Sequence, residues 1–243
     1  MHWSELNASD KVVLEVGTGR GGTTRELIAW LEQYPGSRLI SVDLHDGSFS
    51  ALKMLAEERG VAAEFRVVDA VELPGFAKSR IDLIVCNYTL CAIASSPGAE
   101  YLALHRFWEV LRPGGRLFVE EEHPIYREAT EGAEEVFQRK WHLLRMAGHL
   151  LGTPEYREFD PATLAKVCRR VGFAGVSWEE GQQLVDWPEC LEFFQYRWGK
   201  VLASVETKAR PLLAELASDL TDMARQHGGM LTPHYLLWAE KRA

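Results

Sequence analysis

The alternation of buried strands with amphipathic helices constrains the fold more than any other feature of this sequence. Short runs rich in branched apolar residues, which predict strands, are separated by segments with apolar residues at helical spacing. This alternation is typical of a doubly wound, mostly parallel α/β sheet. The predicted strands cover 11–16, 38–44, 63–70, 80–88 and 116–121, and the predicted helices cover 23–34, 48–60 and 98–115.

The second half of the chain continues this pattern with two interruptions. A helix is predicted from Asp160, followed by a sixth strand at 174–180 and a last strand at 234–241. The stretches 123–159 and 182–229 lie outside the alternation and carry apolar residues at helical spacing. We therefore expect one domain over residues 1–243, with two helical insertions that pack over the sheet.

Composition excludes several classes of protein. The chain has 243 residues, 47% of them hydrophobic, and a net charge of -8, which argues against a nucleic-acid partner because phosphate binding needs a basic face. No apolar run reaches the length of about 18 residues that a membrane span needs. Four cysteines without C-x-x-C spacing predict buried, reduced thiols in a cytoplasmic protein and no zinc site.

The segment LEVGTGRGGTTRE, residues 14–26, is a glycine-rich turn between the first strand and the first helix. Gly17, Gly19 and Gly22 fit the dinucleotide pattern G-x-G-x-x-G, and Asp43 follows where that pattern expects an acid for the ribose. A nicotinamide-dependent oxidoreductase is therefore one reading of this turn.

The same turn also fits a second pattern, E/D-x-G-x-G-x-G, through Glu15, Gly17, Gly19 and Gly21. That pattern opens the S-adenosylmethionine (SAM) site of class I methyltransferases. The turn by itself does not choose between the two patterns, so the other strand ends must decide.

Polar residues end the neighbouring strands, and ligands of an open α/β sheet lie at this carboxyl edge. Asp43 can accept hydrogen bonds from two ribose hydroxyls, and Asp69 can accept one from the adenine amino group. Gly17 and Gly19 permit close backbone approach to the methionine end. A pyrophosphate prefers fewer carboxylates than this edge carries, so these residues favour SAM.

Five motifs in register resemble the class I SAM-dependent methyltransferases, of the type grouped with the ubiquinone and menaquinone biosynthesis C-methyltransferases. The matching segments are VLEVGTGRG (13–21), SVDL (41–44), VVDAVELP (67–74), IDLIVCNYTL (81–90) and LRPGGRLFVEE (111–121). The resemblance implies SAM as the cofactor, with Glu15, Gly17, Thr18 and Gly19 at the methionine end, Asp43 and Leu44 at the ribose, Asp69 and Ala70 at the adenine, and Asn87 below the sulfonium.

The resemblance further implies a seventh strand, at 234–241, inserted antiparallel beside the sixth. The chain departs from the family because its first strand begins near residue 11, which leaves no room for N-terminal helices over the cofactor. We expect the two helical insertions to form the lid instead. A homodimer contact or a partner subunit that covers the site is the alternative.

Catalytic residues are less clearly marked than cofactor residues. His123 follows the fifth strand, where it could accept a proton from a hydroxyl or amine nucleophile, and Tyr88 and Tyr126 are weaker candidates. The sequence predicts transfer of a methyl group from SAM to a small-molecule acceptor at oxygen, nitrogen or carbon, without a metal. The alternatives are an NAD(P)-dependent oxidoreductase and a non-catalytic SAM-binding homologue that acts with a partner.

Overall fold

The structure is a computed structural model that describes residues 2–125, 128–129, 132–153 and 156–242. The described part of the chain divides into two compact units. The first comprises Met1–Glu121, Tyr156–Glu179 and Tyr235–Ala243, and the second comprises Glu122–Glu155 and Glu180–His234. Whether the two make a single domain with insertions stays a prediction.

Within the described residues, seven strands form one sheet in the order β3-β2-β1-β4-β5-β7-β6. β1 pairs in parallel with β2 and β4, and the pairs β2–β3 and β4–β5 are parallel as well. The doubly wound, mostly parallel sheet is therefore confirmed, and β7 lies beside β6 as the resemblance implied. The strands are β1 (Val12–Val16), β2 (Arg38–Asp43), β3 (Ala62–Val67), β4 (Ile81–Asn87), β5 (Leu111–Glu122), β6 (Phe173–Asp186) and β7 (Gly229–Lys241).

The helices begin and end mostly at the signals that the sequence carries. In α6, for example, Asp160 accepts a hydrogen bond from the Thr163 N–H at 2.8 Å, Pro161 occupies the first turn, and Gly172 ends the helix with φ +119°. The helices are α1 (Gly22–Leu31), α2 (Phe49–Glu58), α3 (Leu90–Ile93), α4 (Ala99–Val110), α5 (Gly132–Leu151), α6 (Pro161–Val171), α7 (Trp187–Ser204) and α8 (Arg210–Gln226), with a short 3-10 helix at Trp3–Glu5.

The central strands of the first unit are buried on both faces. Successive residues point to opposite sides of a strand, so Leu14 and Ile84 pack in one apolar cluster while Val13, Leu83 and Phe118 pack in another. This double burial explains the continuous apolar runs in β1 and β4. The cysteines Cys86, Cys91, Cys168 and Cys190 are buried without a disulfide among the described residues, as predicted.

The segment LRPGG differs from its predicted structure. The predicted helix 98–115 ends earlier, at Val110, and β5 already begins at Leu111. Leu111 pairs with Ile81, whereas the next pair along is Leu83 with Arg116, so 112–115 form a bulge in β5. The reason is that Pro113 cannot continue a helix and favours an extended backbone at Arg112, so the helix ends before both residues.

The second unit has an apolar core of its own. Phe137 and Trp141 of α5 pack with Phe194 and Trp198 of α7, and α8 adds Leu213 to the same cluster. The predicted insertion 182–229 is only partly helical, because β6 extends to Asp186 and α7 begins one residue later. Among the described residues, no helix combines the length and apolar character of a membrane span.

Candidate cofactor-binding site

The glycine turn after β1 has a backbone that only glycine adopts easily. Gly17, Gly19 and Gly21 have φ values of +85°, +52° and +83°, in the left-handed region. A Cβ on Gly17 would collide with the side chain of Thr89, and one on Gly21 would lie 2.7 Å from Leu52. The Gly17 N–H donates to the carbonyl of Val42 at 2.8 Å, which fixes the turn against β2.

Gly22 distinguishes the two patterns that the sequence left open. The third glycine of the dinucleotide pattern serves close packing of helix on strand. Gly22 instead opens α1 with no left-handed φ, and a Cβ there would have no atom within 4 Å. The three glycines that the backbone conformation requires are therefore those of the SAM pattern, not those of the dinucleotide pattern.

Glu15 lies at the base of the turn and is buried, with 1% of its surface exposed. Its carboxylate accepts hydrogen bonds from Thr24 Oγ1 at 2.8 and 2.9 Å and from Ser41 Oγ at 2.5 Å. Burial raises the pKa of Glu15 to about 7, and the hydrogen bonds from Ser41 and Thr24 oppose that shift. The Thr18 hydroxyl lies 2.6 Å from Ser41 Oγ, so Thr18 belongs to this buried network.

Asp43 ends β2 directly beside the glycine turn. Its Oδ2 accepts the Gly19 N–H at 2.8 Å and its Oδ1 accepts the His45 N–H at 2.9 Å. A carboxylate oxygen can accept more than one hydrogen bond, so both remain able to receive a hydroxyl. Ser48 donates to the Gly19 carbonyl at 2.8 Å, and Leu44 is exposed next to Asp43. These hydrogen bonds fix the Asp43 carboxylate to the glycine turn.

Asp69 and Ala70 follow β3 at the same edge. The Asp69 side chain is exposed, accepts the Val71 N–H at 2.8 Å, and its carbonyl accepts the Leu73 N–H at 2.8 Å. The Val68 N–H donates to the Asp43 carbonyl at 2.9 Å, which connects the end of β3 with that of β2. Asp69 is therefore positioned one strand away from Asp43, as the motif order predicts.

Asn87 ends β4 and is 9% exposed. Its Nδ2 donates to Glu120 Oε2 at 3.2 Å, while its Oδ1 is buried and has no donor among the described residues. Tyr88 follows with a left-handed φ of +49° and donates its hydroxyl to Glu120 Oε1 at 2.8 Å. A buried carbonyl oxygen without a donor is costly, which is expected where a ligand supplies the missing contact.

His123 belongs to the second unit, whereas the predicted cofactor residues belong to the first. Its backbone N–H donates to the Pro233 carbonyl at 2.8 Å, and its Nε2 lies 3.5 Å from Glu180 Oε2. A catalytic role for His123 stays a prediction. Tyr126 lies outside the described residues.

The acidic run 120–122 binds three different sets of partners. Glu120 accepts from Asn87 and Tyr88, Glu121 accepts the Cys91 N–H at 3.1 Å, and Glu122 pairs with Lys140. In the described part of the chain, no group of three or more His, Cys, Asp or Glu residues is arranged to hold a metal ion.

Sequence reasoning missed the residues that support the turn. Thr24 and Ser41 donate to Glu15, and Thr89 occupies the space that a side chain at Gly17 would need. Ser41 and Thr89 lie within the matching segments SVDL and IDLIVCNYTL, but no pattern assigned them a part in the turn. The alternation of strand faces could have placed Ser41 beside Glu15, since these residues pair across β1 and β2.

Comparison with known proteins identifies this arrangement. Residues 13–115 match the model of a family described as a methyltransferase domain. A ubiquinone biosynthesis O-methyltransferase of Pseudomonas paraeruginosa is 26% identical over 178 residues, which cover 71% of this chain and 69% of that protein. These similarities support a class I SAM-dependent methyltransferase. SAM is accordingly the cofactor of this methyltransferase.

Other proteins similar to this methyltransferase agree in fold. The YcgJ protein of Bacillus subtilis superposes with a TM-score of 0.62 at 19% identity, covering 99% of this chain and 95% of that one. The 1,6-didemethyltoxoflavin-N1-methyltransferase of Burkholderia thailandensis, solved with bound 1,6-didemethyltoxoflavin and S-adenosylhomocysteine, has a TM-score of 0.55 at 21% identity, and the match covers 97% of this chain and 72% of that one. The chain spans only 6% of a matching squalestatin tetraketide synthase of Cochliobolus lunatus, to which it is 26% identical.

Proposed function

We propose that this methyltransferase transfers the methyl group of SAM to a small-molecule acceptor and holds SAM at the carboxyl edge of β1, β2, β3 and β4. The observation that carries the proposal is the left-handed turn at Gly17 and Gly19, bonded directly to the Asp43 carboxylate. The methionine end of SAM requires a backbone open to close approach, and its ribose requires a carboxylate able to accept a diol.

Each cofactor residue has a proposed part. Asp43 accepts the ribose hydroxyls, with Leu44 beside it, and Asp69 with Ala70 faces the adenine. Gly17, Thr18 and Gly19 form the backbone that the methionine end approaches, while the buried carboxylate of Glu15 supports the turn from below. The Asn87 Oδ1, which has no donor among the described residues, faces the cationic sulfonium end.

Methyl transfer from SAM depends mainly on how the protein positions the two reactants. The nucleophile displaces S-adenosylhomocysteine in line, at a carbon that the sulfonium already activates, so alignment and exclusion of water supply most of the rate. A general base is needed only where the nucleophile must lose a proton. His123 is our candidate for that step, with Glu180 placed to orient its ring.

Oxygen is the first acceptor atom to test, since the Pseudomonas relative is named an O-methyltransferase. Nitrogen and carbon acceptors remain in the proposal, and the named substrate of the Burkholderia neighbour is a nitrogen acceptor. A panel of phenols, alcohols, amines and enols, scored by release of S-adenosylhomocysteine, identifies the acceptor class.

Replacing Asp43 by alanine tests the cofactor site. The loss of two charge-assisted hydrogen bonds, each worth about 1.5–3 kcal/mol, predicts S-adenosylhomocysteine binding weaker by about 100-fold or more in calorimetry. Asp46→Ala is the matched control, because Asp46 is an exposed carboxylate of the same loop. The Asp46→Ala protein is expected to bind S-adenosylhomocysteine as tightly as the wild type does. An Asp43→Ala protein that folds and binds within about twofold of wild type contradicts the assignment.

Replacing His123 by glutamine tests the proposed base. We expect turnover of a hydroxyl acceptor to fall by about 100-fold, the usual contribution of general base catalysis. The affinity for S-adenosylhomocysteine should stay unchanged. Equal turnover by the variant and the wild type at every pH would remove His123 from the mechanism.

A further inference from the structure

A carboxylate of the first unit, that of Glu120 near the end of β5, is bonded to the residues that end β4. It accepts a hydrogen bond from Asn87 Nδ2 at 3.2 Å and one from the Tyr88 hydroxyl at 2.8 Å. The Tyr88 N–H also donates to the Glu120 carbonyl at 2.7 Å. Glu120 is therefore fixed beside Asn87, the residue proposed to lie below the sulfonium.

The segment after β4 is packed against the glycine turn. The Thr89 hydroxyl donates to the Asn87 carbonyl at 2.9 Å, and the Thr89 side chain fills the space beside Gly17. Asn87 Nδ2 also lies 3.4 Å from Thr23 Oγ1 in the first turn of α1. Through Asn87, the Glu120 carboxylate is thus connected to the turn at which the methionine end of SAM is proposed to lie.

The charge of Glu120 is not neutralised by a cation in the described part of the chain. Its hydrogen-bond donors are an amide and a phenol, and no described lysine or arginine lies within ion-pair distance of its carboxylate. Burial lowers the pKa of His2, whose ring is near enough to feel the charge of Glu120, so this imidazole is mainly neutral at pH 7. Burial raises the pKa of Glu26 on α1, and the charge of Glu120 raises it further. Two carboxylates therefore make the local potential negative.

A buried oxygen without a donor accompanies this negative charge. Asn87 is 9% exposed, and the Oδ1 of the same amide that donates to Glu120 has no donor among the described residues. A carbonyl oxygen and a carboxylate side by side match positively charged groups and N–H donors. An anionic ligand would be repelled by the same groups.

Methyl transfer from SAM to an amine moves a positive charge from one atom to another. The nitrogen lone pair forms the bond to the methyl carbon, and the C–S bond breaks with its electron pair left on sulfur. The positive charge of the sulfonium thereby passes to nitrogen, and no proton has to leave first. A carboxylate beside the nitrogen stabilises this charge as it develops. The same carboxylate would repel a phenolate nucleophile.

We propose that Glu120, with Glu26 beside it, forms a subsite for a neutral amine acceptor, so that nitrogen is the atom methylated. The proposal rests on the proposed function, because the subsite adjoins the methyl group only if SAM lies at the glycine turn. Asn87 Oδ1 faces the sulfonium before the transfer, and Glu120 faces the ammonium after it. Tyr88 and Asn87 fix the carboxylate in place.

Sinefungin tests this subsite without knowledge of the acceptor. In this SAM analogue a carbon that bears an ammonium group replaces the methylsulfonium, so a positive charge lies where the methyl group meets the nitrogen. S-adenosylhomocysteine has the same nucleoside and amino acid ends but no charge at sulfur. The ratio of the two dissociation constants, measured by calorimetry, therefore reports the potential at this position. We expect the wild type to bind sinefungin about tenfold more tightly than S-adenosylhomocysteine.

Variants locate the negative charge. Glu120→Gln keeps the size of the side chain and should abolish the preference for sinefungin, while the affinity for S-adenosylhomocysteine stays within about twofold. Glu26→Gln should reduce the preference by about threefold, and it keeps the test valid if Glu120→Gln disturbs the hydrogen bonds at the end of β4. Glu57→Gln, at an exposed position of α2, is the control and should keep the wild-type ratio.

The outcomes separate this subsite from the cofactor site. Wild-type protein that binds S-adenosylhomocysteine and sinefungin equally well contradicts the subsite alone, and so does a preference that survives in both glutamate variants. Wild-type protein that binds neither ligand contradicts the cofactor site and the subsite together. Methylation of a phenol or an enol in the acceptor panel, with every amine left unmodified, would also overturn the choice of nitrogen.

Discussion

The two units hold carboxylates by different means. In the first unit, Glu15 is surrounded by the hydroxyls of Thr24 and Ser41, without a cation in its hydrogen-bond network. In the second unit, Glu122 accepts from the ammonium of Lys140 at 2.8 and 3.0 Å and from Trp141 Nε1 at 2.6 Å. Burial raises the pKa of Glu15 to about 7, so its ionisation depends on pH near neutrality, whereas Glu122 is paired with a buried ammonium.

The difference matches the place of each carboxylate: Glu15 supports the proposed cofactor site, whereas Glu122 is paired with a helix of the second unit. The Glu15 network supports the turn that we propose is approached by the methionine end of SAM. The ammonium of Lys140, which is 3% exposed, lies 4.6 Å from the ring centroid of Phe137 and 4.8 Å from that of Trp141. Such a pair holds α5 to Glu122, the last residue of β5, by charge as well as by apolar contact.

Replacing Lys140 by methionine should have the largest effect on stability. The change leaves the half-buried Glu122 without its cation, which costs about 3 kcal/mol of unfolding free energy, at the lower end of the range for buried pairs because the Glu122 side chain is 20% exposed. Urea denaturation measures the loss. Lys208→Met is the control within the same unit, because its side chain is 85% exposed beside Glu206 and such surface pairs contribute about 0–1 kcal/mol. Equal losses in the two variants would show that the buried pair has no special role.

Replacing Gly17 by alanine should have the next largest effect. The new Cβ meets the Thr89 side chain and must accept a φ of +85°, which together cost about 3 kcal/mol. Gly19→Ala is the matched variant, since a Cβ there has open space and bears only the backbone cost of about 1 kcal/mol. Thr89→Ala should recover part of the loss in the Gly17→Ala protein. No recovery would mean that the collision with Thr89 does not set the cost.

The pH dependence of Glu15 should be the smallest of these effects. Its pKa is about 7 in the folded protein and near 4.5 when exposed, so folding favours the protonated form. Stability from this group is therefore greatest below about pH 4.5 and is lost as pH rises through 7, by about 2–3 kcal/mol between pH 5 and 8.

Glu15→Gln removes this titration while keeping the size of the side chain. The unfolding free energy of the wild type should fall relative to that of Glu15→Gln as pH rises from 5 to 8. A constant difference between the two proteins over this range would show that Glu15 does not titrate near neutrality.

The sequence predicted the first unit well because each strand and helix there is marked by a local pattern, and the motifs follow one another in a fixed order. The runs that form β1 to β4 carry their own periodicity, and Asp43 and Asp69 follow strands whose order fixes their common edge. Glu15 was expected at the cofactor itself, yet its oxygens point into hydroxyls from α1 and β2. That arrangement depends on pairing between elements, which no local pattern encodes.

The second unit was predicted less completely for the same reason. Its helices α7 and α8 follow apolar spacing, but the extension of β6 to Asp186 depends on sheet neighbours. The partnership of Lys140 with Glu122 joins residues 18 apart across a loop, and nothing in either segment marks it. The LRPGG bulge likewise follows from pairing with β4, although its proline and glycines correctly predicted an end to α4.

The most direct test of the central claim is a calorimetric titration of the purified protein with S-adenosylhomocysteine and, separately, with NADH. A turn at Gly17, Gly19 and Gly21 bonded to Asp43 predicts binding of S-adenosylhomocysteine with a dissociation constant of about 1–100 μM, and no heat from NADH. Binding of NADH alone would contradict the assignment of this turn to SAM. Binding of neither would contradict the claim that these residues are sufficient for the cofactor site.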